Sequence, residues 1–261
     1  MGSSFIAKIK NTIVPSRSIA MFWIGQSGFM IKTSNNKVVC IDPYLSNCVE
    51  RIEGLVRLVP APLLPGEVEA DIILLTHDHI DHVDPDCILE ICQASKASII
   101  GPTSCINHLL KIGLDSSQVI ELNRGNITEL DGIRIGAVYS EDFSKDGVGY
   151  ILKSDGITTY FTGDTSYVPE LDSVKIALID ILITSINGGG KYGNLTPQEA
   201  TQLTLKLQPR YVIPAHYGMF KENTGDPVKF LEALASAKSV AEPIIIEHGS
   251  GQVIDCEPIA I

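Results

Sequence analysis

Three of the chain's six histidines fall within the run Thr76-His77-Asp78-His79-Ile80-Asp81-His82. The run follows Ile72-Ile73-Leu74-Leu75, an apolar stretch that reads as a buried strand. A strand that ends and releases His-x-His-x-Asp-His into a loop aims several donor groups at one point. Ring nitrogens of His77 and His79 can meet on one metal ion while Asp81 and His82 face a second beside it. Neutral imidazole and carboxylate suit a divalent metal, and two ions a few ångströms apart suit hydrolysis by a shared hydroxide. Scattered histidines usually do no more than cap surface loops. Three at this spacing, behind an apolar strand, point to a metal site.

The elements that must position these ligands are strands and helices in two similar halves. The first half opens with β-runs at Ile19–Ile24, Phe29–Thr33 and Val38–Ile41, then Ile72–Thr76. A helix is expected near Pro85, with Ile88, Leu89, Ile91 and Cys92 on its buried side. Ser98–Gly101 reads as a strand, and a helix through Leu109, Leu110 and Ile112 ends at Gly113. In the second half Val119–Leu122, Ile127–Leu130, Ile133–Tyr139, Gly149–Leu152 and Thr158–Phe161 read as a β-meander. Its Asp-Gly turns fall at Asp131-Gly132 and Asp155-Gly156. Strand Ile179–Thr184, helix Pro197–Leu207, strand Tyr211–Pro214 and a last helix near Pro227–Ala237 follow. No linker or low-complexity tract divides the chain, so residues 1–261 read as one domain. The pattern fits an α/β fold in which two packed sheets carry helices outside, a four-layer αββα sandwich.

Composition narrows the function. The 261 residues are 44% hydrophobic and 20% charged, with a formal charge of −11. That balance disfavours a nucleic-acid backbone as partner. The longest nearly apolar run, 176–186, carries Asp180 and falls short of a membrane span. Lys8, Lys10 and Arg17 precede an apolar stretch, but Gly25-Gln26-Ser27-Gly28 interrupts it, which argues against an export signal. The six cysteines form no Cys-x-x-Cys pair and are expected reduced, in the cytoplasm.

Three motifs together, His77-x-His79-x-Asp81-His82, Phe161-Thr162-Gly163-Asp164-Thr165 and Ile213-Pro214-Ala215-His216, resemble successive motifs of the metallo-β-lactamase superfamily. Asp42, after the strand Val38–Ile41, resembles that superfamily's early aspartate. Met21-Phe22-Trp23-Ile24-Gly25, Thr76-His77-Asp78-His79, Ile100-Gly101-Pro102 and Gly163-Asp164-Thr165-Ser166-Tyr167 are similar to the L-ascorbate-6-phosphate lactonase family. The likeness runs from about Met21 to about Phe220. It implies that Asp164 bridges the two metals and that His216 completes the second ion's shell with Asp81, His82 and Asp164. Asp42 is expected to accept the distal N–H of a ligand histidine rather than bind metal itself.

The third ligand of the first ion departs from the superfamily pattern, because no histidine lies between His108 and His216. Ser140-Glu141-Asp142-Phe143 stands in its place, and likeness to the lactonases favours Asp142 over Glu141. A carboxylate there hardens the site and moves preference from Zn²⁺ toward Mn²⁺. Asn187 to Gly193, which follows the strand Ile179–Thr184, should rim the cleft. Lys191 and Tyr192 are candidate substrate contacts, and Arg124 is a second candidate for meeting phosphate. Asp78 reads equally as a loop brace, a proton shuttle or a solvated carboxylate. Tyr167 and Tyr217 read as substrate donors or as packing, and His108 and His248 as structural. The resemblance implies a lactonase acting on a small anionic substrate, a sugar-acid phosphate such as L-ascorbate 6-phosphate, in a homo-oligomer. Asp81 and His82 are the expected catalytic pair. A phosphodiesterase of cyclic or short nucleotides and a metal-binding protein without catalysis are the alternatives.

Overall fold

A computed structural model describes residues 2–140, 144–174, 178–189 and 193–257. Six strands form in the first half: β1 Ser18–Gly25, β2 Gly28–Thr33, β3 Val38–Ile41, β4 Ile72–Leu74, β5 Ser98–Gly101 and β6 Val119–Glu121. Seven follow: β7 Ile127–Leu130, β8 Ile133–Tyr139, β9 Val148–Ser154, β10 Ile157–Phe161, β11 Ile181–Ser185, β12 Tyr211–Ala215 and β13 Glu242–Pro243. A last strand, β14 Gly251–Asp255, returns to the first sheet. The two seven-stranded sheets run β14-β1-β2-β3-β4-β5-β6 and β13-β12-β11-β10-β9-β8-β7.

Burial explains why β1 is apolar at nearly every position. Ile19, Met21 and Trp23 face the space between the sheets, while Ala20, Phe22 and Ile24 pack beneath outer helices. A strand covered on both faces cannot alternate polar and apolar residues. The inner core continues with Phe29, Ile41 and Leu74 of one sheet against Ile135, Tyr150, Phe161 and Ile213 of the other. Helices α1 Gly2–Asn11, α3 Ile88–Ser95 and α4 Thr103–Lys111 cover the first sheet; α2 Cys48–Glu53 lies beside the loops. Helices α5 Pro197–Leu207 and α6 Pro227–Ser236 cover the second sheet. The expected four-layer αββα sandwich is what forms.

Both Asp-Gly turns hold two successive residues at positive φ, Asp131-Gly132 and Asp155-Gly156. That conformation matches the right-handed twist of a tight hairpin. Several elements differ from expectation, with α2, β13 and β14 among those not foreseen. β6 pairs in parallel with β5 in the first sheet rather than opening the meander. Helix α3 starts at Ile88, because residues 85–87 are spent on a turn. The amino-terminal residues form α1, which buries Phe5, Ile6 and Ile9. Lys32 of β2, itself buried, donates to the carbonyls of Ile9 at 3.1 Å and Lys10 at 2.6 Å. Its ammonium therefore caps the negative end of that helix.

Candidate metal centre

Strand register brings the chemistry together. Ile41 faces Leu74 across the parallel pair β3–β4, Phe161 faces Ile183 across β10–β11, and Ser185 faces Ala215 across β11–β12. Asp42, Thr76, Asp164 and His216 therefore all follow the carboxyl ends of parallel-paired strands, where α/β sheets place their ligand sites. The turns are sharp. Gln26, Asp42 and His216 adopt left-handed backbone with φ of 51°, 43° and 61°. For residues other than glycine this costs on the order of 1–3 kcal/mol each and clusters at functional sites. Gly163 reaches φ 65° before Asp164, with the Val148 carbonyl only 3.0 Å from where a Cβ would stand.

Proton positions follow from simple constraints. Asp42 accepts from the Thr76 backbone N–H at 2.8 Å and from the Thr76 hydroxyl at 2.6 Å. Its Oδ2 also stands 2.7 Å from His82 Nδ1. A carboxylate only accepts, so His82 Nδ1 carries a proton, and on the neutral ring Nε2 keeps its lone pair. The Thr76 hydroxyl spends its one proton on Asp42, so it must accept from His77 Nδ1, 2.9 Å away. On the neutral ring, Nε2 of His77 then carries the lone pair as well. One buried aspartate and one threonine thus set the tautomer of two histidines.

The inward-facing atoms converge. His77 Nε2 lies 2.9 Å from His79 Nδ1. His216 Nε2 is 3.1 Å from Asp164 Oδ2 and 3.5 Å from Asp81 Oδ2. His82 Nε2 is 3.6 Å from Asp164 Oδ2 and 3.8 Å from Asp81 Oδ1. Yet the buried Nε2 atoms of His82 and His216 are aligned for no hydrogen bond. Imidazole nitrogens that crowd against carboxylates without an aligned hydrogen bond, as those two do, are arranged for a cation. Two such groupings, His77-His82-Asp164 and Asp81-His82-His216, each hold their ligand atoms within 4.8 Å of one another. Imidazole and carboxylate are the donors a divalent metal takes, so the residues fit one.

Electrostatics agree. Burial opposes charge on Asp164, but the imidazoles of His216 and His82 hold its carboxyl well below the usual range. Asp81 is likewise held low against burial, by His82 and then His216. Burial opposes charge on His82 and His216 too, yet the carboxylates around them raise both, His216 to about 9. His77 moves the other way, pushed well below 6.5 by burial and then by His82. In the metal-free protein, protonated imidazoles balance the buried carboxylates. A divalent cation supplies the same charge and releases those protons.

Several supporting residues carry no signal in the sequence. Buried Gln26 donates from Nε2 to Asp81 at 2.8 Å, and its backbone carbonyl accepts from the His216 backbone N–H and from Trp23 Nε1. Ser27 reaches Asp164 Oδ1 at 3.3 Å, and Asn194 donates to Asp164 Oδ2 at 2.7 Å. Their partners are distant in the chain, so no local pattern marks them. Glu141, Asp142, Lys191 and Tyr192 lie outside the described residues. Arg124 does not present itself to a phosphate. It donates to the carbonyls of Gly147 at 2.7 Å and Ser140 at 2.8 Å and covers the Tyr139 ring. Tyr217 packs against Trp23, and burial pushes its hydroxyl up to about 12. The cleft above the ligands is about 250 Å³, with Glu53, Asp78, Ile80, Phe220, Asn194 and Asn223 in its wall. The described wall contains no lysine or arginine.

Residues 20–216 match the profile of a beta-lactamase superfamily domain, a span that contains Asp42 and every described ligand candidate. A UPF0173 metal-dependent hydrolase of Thermococcus kodakarensis is 33% identical over 236 residues, spanning 87% of this chain and 96% of that protein. The chain belongs to the UPF0173 metal-dependent hydrolase family. A UPF0173 protein of Methanopyrus kandleri is 27% identical over 244 residues, 87% of this chain and 96% of its own length. Among solved structures, the metallo hydrolase Igni18 of Ignicoccus hospitalis superposes with a TM-score of 0.72 at 23% identity. That match covers 91% of this chain and 98% of Igni18. UPF0173 membership within the metallo-β-lactamase superfamily establishes metal dependence and hydrolysis.

Proposed function

We propose that this UPF0173 protein opens a small lactone with water, using two divalent cations, Mn²⁺ favoured, held by His77, His79, Asp81, His82, Asp142, Asp164 and His216. The observation that carries this reading is the convergence of buried, unbonded imidazole nitrogens on Asp164 at the floor of a small cleft. Bound cations would make a bound water acidic near neutral pH and polarise a carbonyl oxygen. The chain's residues do the rest. Asp42 and Thr76 keep the His82 and His77 lone pairs inward, and Gln26 holds one oxygen of Asp81. Asp81 borders the cleft, so its other oxygen can take the proton of the attacking water and return it to the leaving alkoxide. His82 stands against the same carboxylate at 3.8 Å.

A cleft of about 250 Å³ suits a sugar-sized molecule rather than a polymer. Family likeness suggests a sugar-acid phosphate such as L-ascorbate 6-phosphate. The acidic described wall favours an uncharged ring. The test compares both with a bis-aryl phosphodiester, using Mn²⁺-loaded, Zn²⁺-loaded and chelated protein. Chelator-sensitive opening of either lactone supports the reading. Cleavage of the phosphodiester alone replaces it with a phosphodiesterase. If the phosphorylated lactone is preferred, Lys191→Ala should raise its KM and leave that of the uncharged ring unchanged. Light scattering on the same samples reads the homo-oligomer that the likeness implies.

A further inference from the structure

Three asparagines form a chain of amides leading away from Asp164. Asn194 Nδ2 donates to Asp164 Oδ2 at 2.7 Å and to Asn187 Oδ1 at 3.0 Å. Asn187 Nδ2 then donates to Asn223 Oδ1 at 2.7 Å. All three side chains are buried. An amide has one accepting and one donating end, and elsewhere its orientation is easily reversed. Here reversal is blocked. A carboxylate cannot donate, so Asn194 must turn its nitrogen to Asp164. Its second N–H then meets the Asn187 oxygen, which commits the Asn187 nitrogen to the Asn223 oxygen. The Asn223 nitrogen is left over. It makes no hydrogen bond among the described residues, and Asn223 borders the same cleft as Asp81 and Asp164.

The backbone is shaped to hold this arrangement. A Cβ at Gly188 would overlap the Asn194 carbonyl, and one at Gly225 would overlap the Ile186 carbonyl. Only glycine lets the segments carrying Asn187, Asn194 and Asn223 approach so closely.

We infer that the Asn223 side-chain amide is a substrate contact, donating a hydrogen bond to the oxygen that gains negative charge during hydrolysis, with its direction imposed from Asp164 through Asn194 and Asn187. This rests on the hydrolase reading for the substrate oxygen, while the polarity of the amide chain stands without it. A donor aimed in advance at a developing oxyanion lowers the barrier without tightening ground-state binding.

The test has two readouts. In metal-loaded protein, the side-chain NH₂ resonance of Asn223, assigned by its loss in Asn223→Ala, is followed as inorganic phosphate is added as an oxyanion probe. A shift that saturates is expected. A resonance that stays put while the metal-ligand histidine signals move overturns the inference. This readout needs no turnover, so it survives failure of the lactone reading. On whichever substrate is cleaved, Asn223→Ala should lower kcat by about 100-fold or more, with KM and metal content within about threefold. Asn187→Asp should do the same, because a carboxylate at 187 still accepts from Asn194 but cannot donate, so Asn223 turns its nitrogen away from the cleft. Loss of kcat in neither variant, with metal retained in both, contradicts the assignment.

Discussion

Asp164 Oδ2 meets three neighbours at once: Asn194 Nδ2 at 2.7 Å, His216 Nε2 at 3.1 Å and His82 Nε2 at 3.6 Å. Removing its charge removes what two cations would share. Asp164→Asn is expected to bind one divalent ion or none where the unaltered protein binds two, as read by elemental analysis after dialysis. His216 makes a separate prediction about pH. Its folded pKa, raised from 6.5 to about 9, means that the metal-free fold binds this proton more tightly than the unfolded chain does. Its stabilisation is complete below about pH 6.5 and disappears as pH rises through about 9. Thermal melting of metal-stripped protein should therefore fall across that window, and added metal should abolish the fall. The third ligand belongs at this scale too: Asp142→Ala should weaken one site in a metal titration more than Glu141→Ala does. The His-x-His-x-Asp-His run was legible because its ligands are neighbours in sequence. Gln26, Asn194 and Asn223 were not, and Asn187 was legible only as part of a loop rimming the cleft, since amides in loops are ordinary until folding links them to Asp164 and Asp81.

Elements place these residues by strand register, and the parallel pairs do most of it. The strands themselves were readable from apolar runs and Asp-Gly turns. The sheet to which β6 belongs was not, because its period says nothing about its partner. Helix α1 was hidden for a related reason: three large apolar residues in ten become an amphipathic face only once the helix packs on the sheet, where Phe5 meets Phe22. Arg124 ties together the two ends of the segment that carries the proposed ligand Asp142. It fastens the end of β8 to the residue before β9 through Ser140 and Gly147, on either side of the segment that contains Asp142. Arg124→Ala should weaken metal binding at one site by about tenfold, the scale on which supporting contacts act on metal sites. Arg124→Lys should not rescue it, since one ammonium cannot span both carbonyls. Equal affinity in all three proteins, by competition with a chelating dye, would leave Arg124 a purely structural role.

At the scale of the whole molecule, the two sheets meet where the site is made. The Val148 N–H donates to the Thr76 carbonyl at 2.9 Å, and the Tyr150 hydroxyl donates to the Leu75 carbonyl at 2.7 Å. The loops of one sheet supply His77, His79, Asp81 and His82, and those of the other supply Asp164 and His216, so neither half is sufficient alone. The formal charge of −11 includes Asp81 and Asp164, which would hold the cations. The decisive measurement is hydrolysis of the lactone and phosphodiester panel by metal-stripped protein as divalent ions are restored, with bound metal counted in the same samples. Activity should be absent without metal, rise as the sites fill to two ions per chain, and vanish again with chelator. Hydrolysis that persists in protein shown to hold no metal would contradict a metal-dependent site built on Asp164.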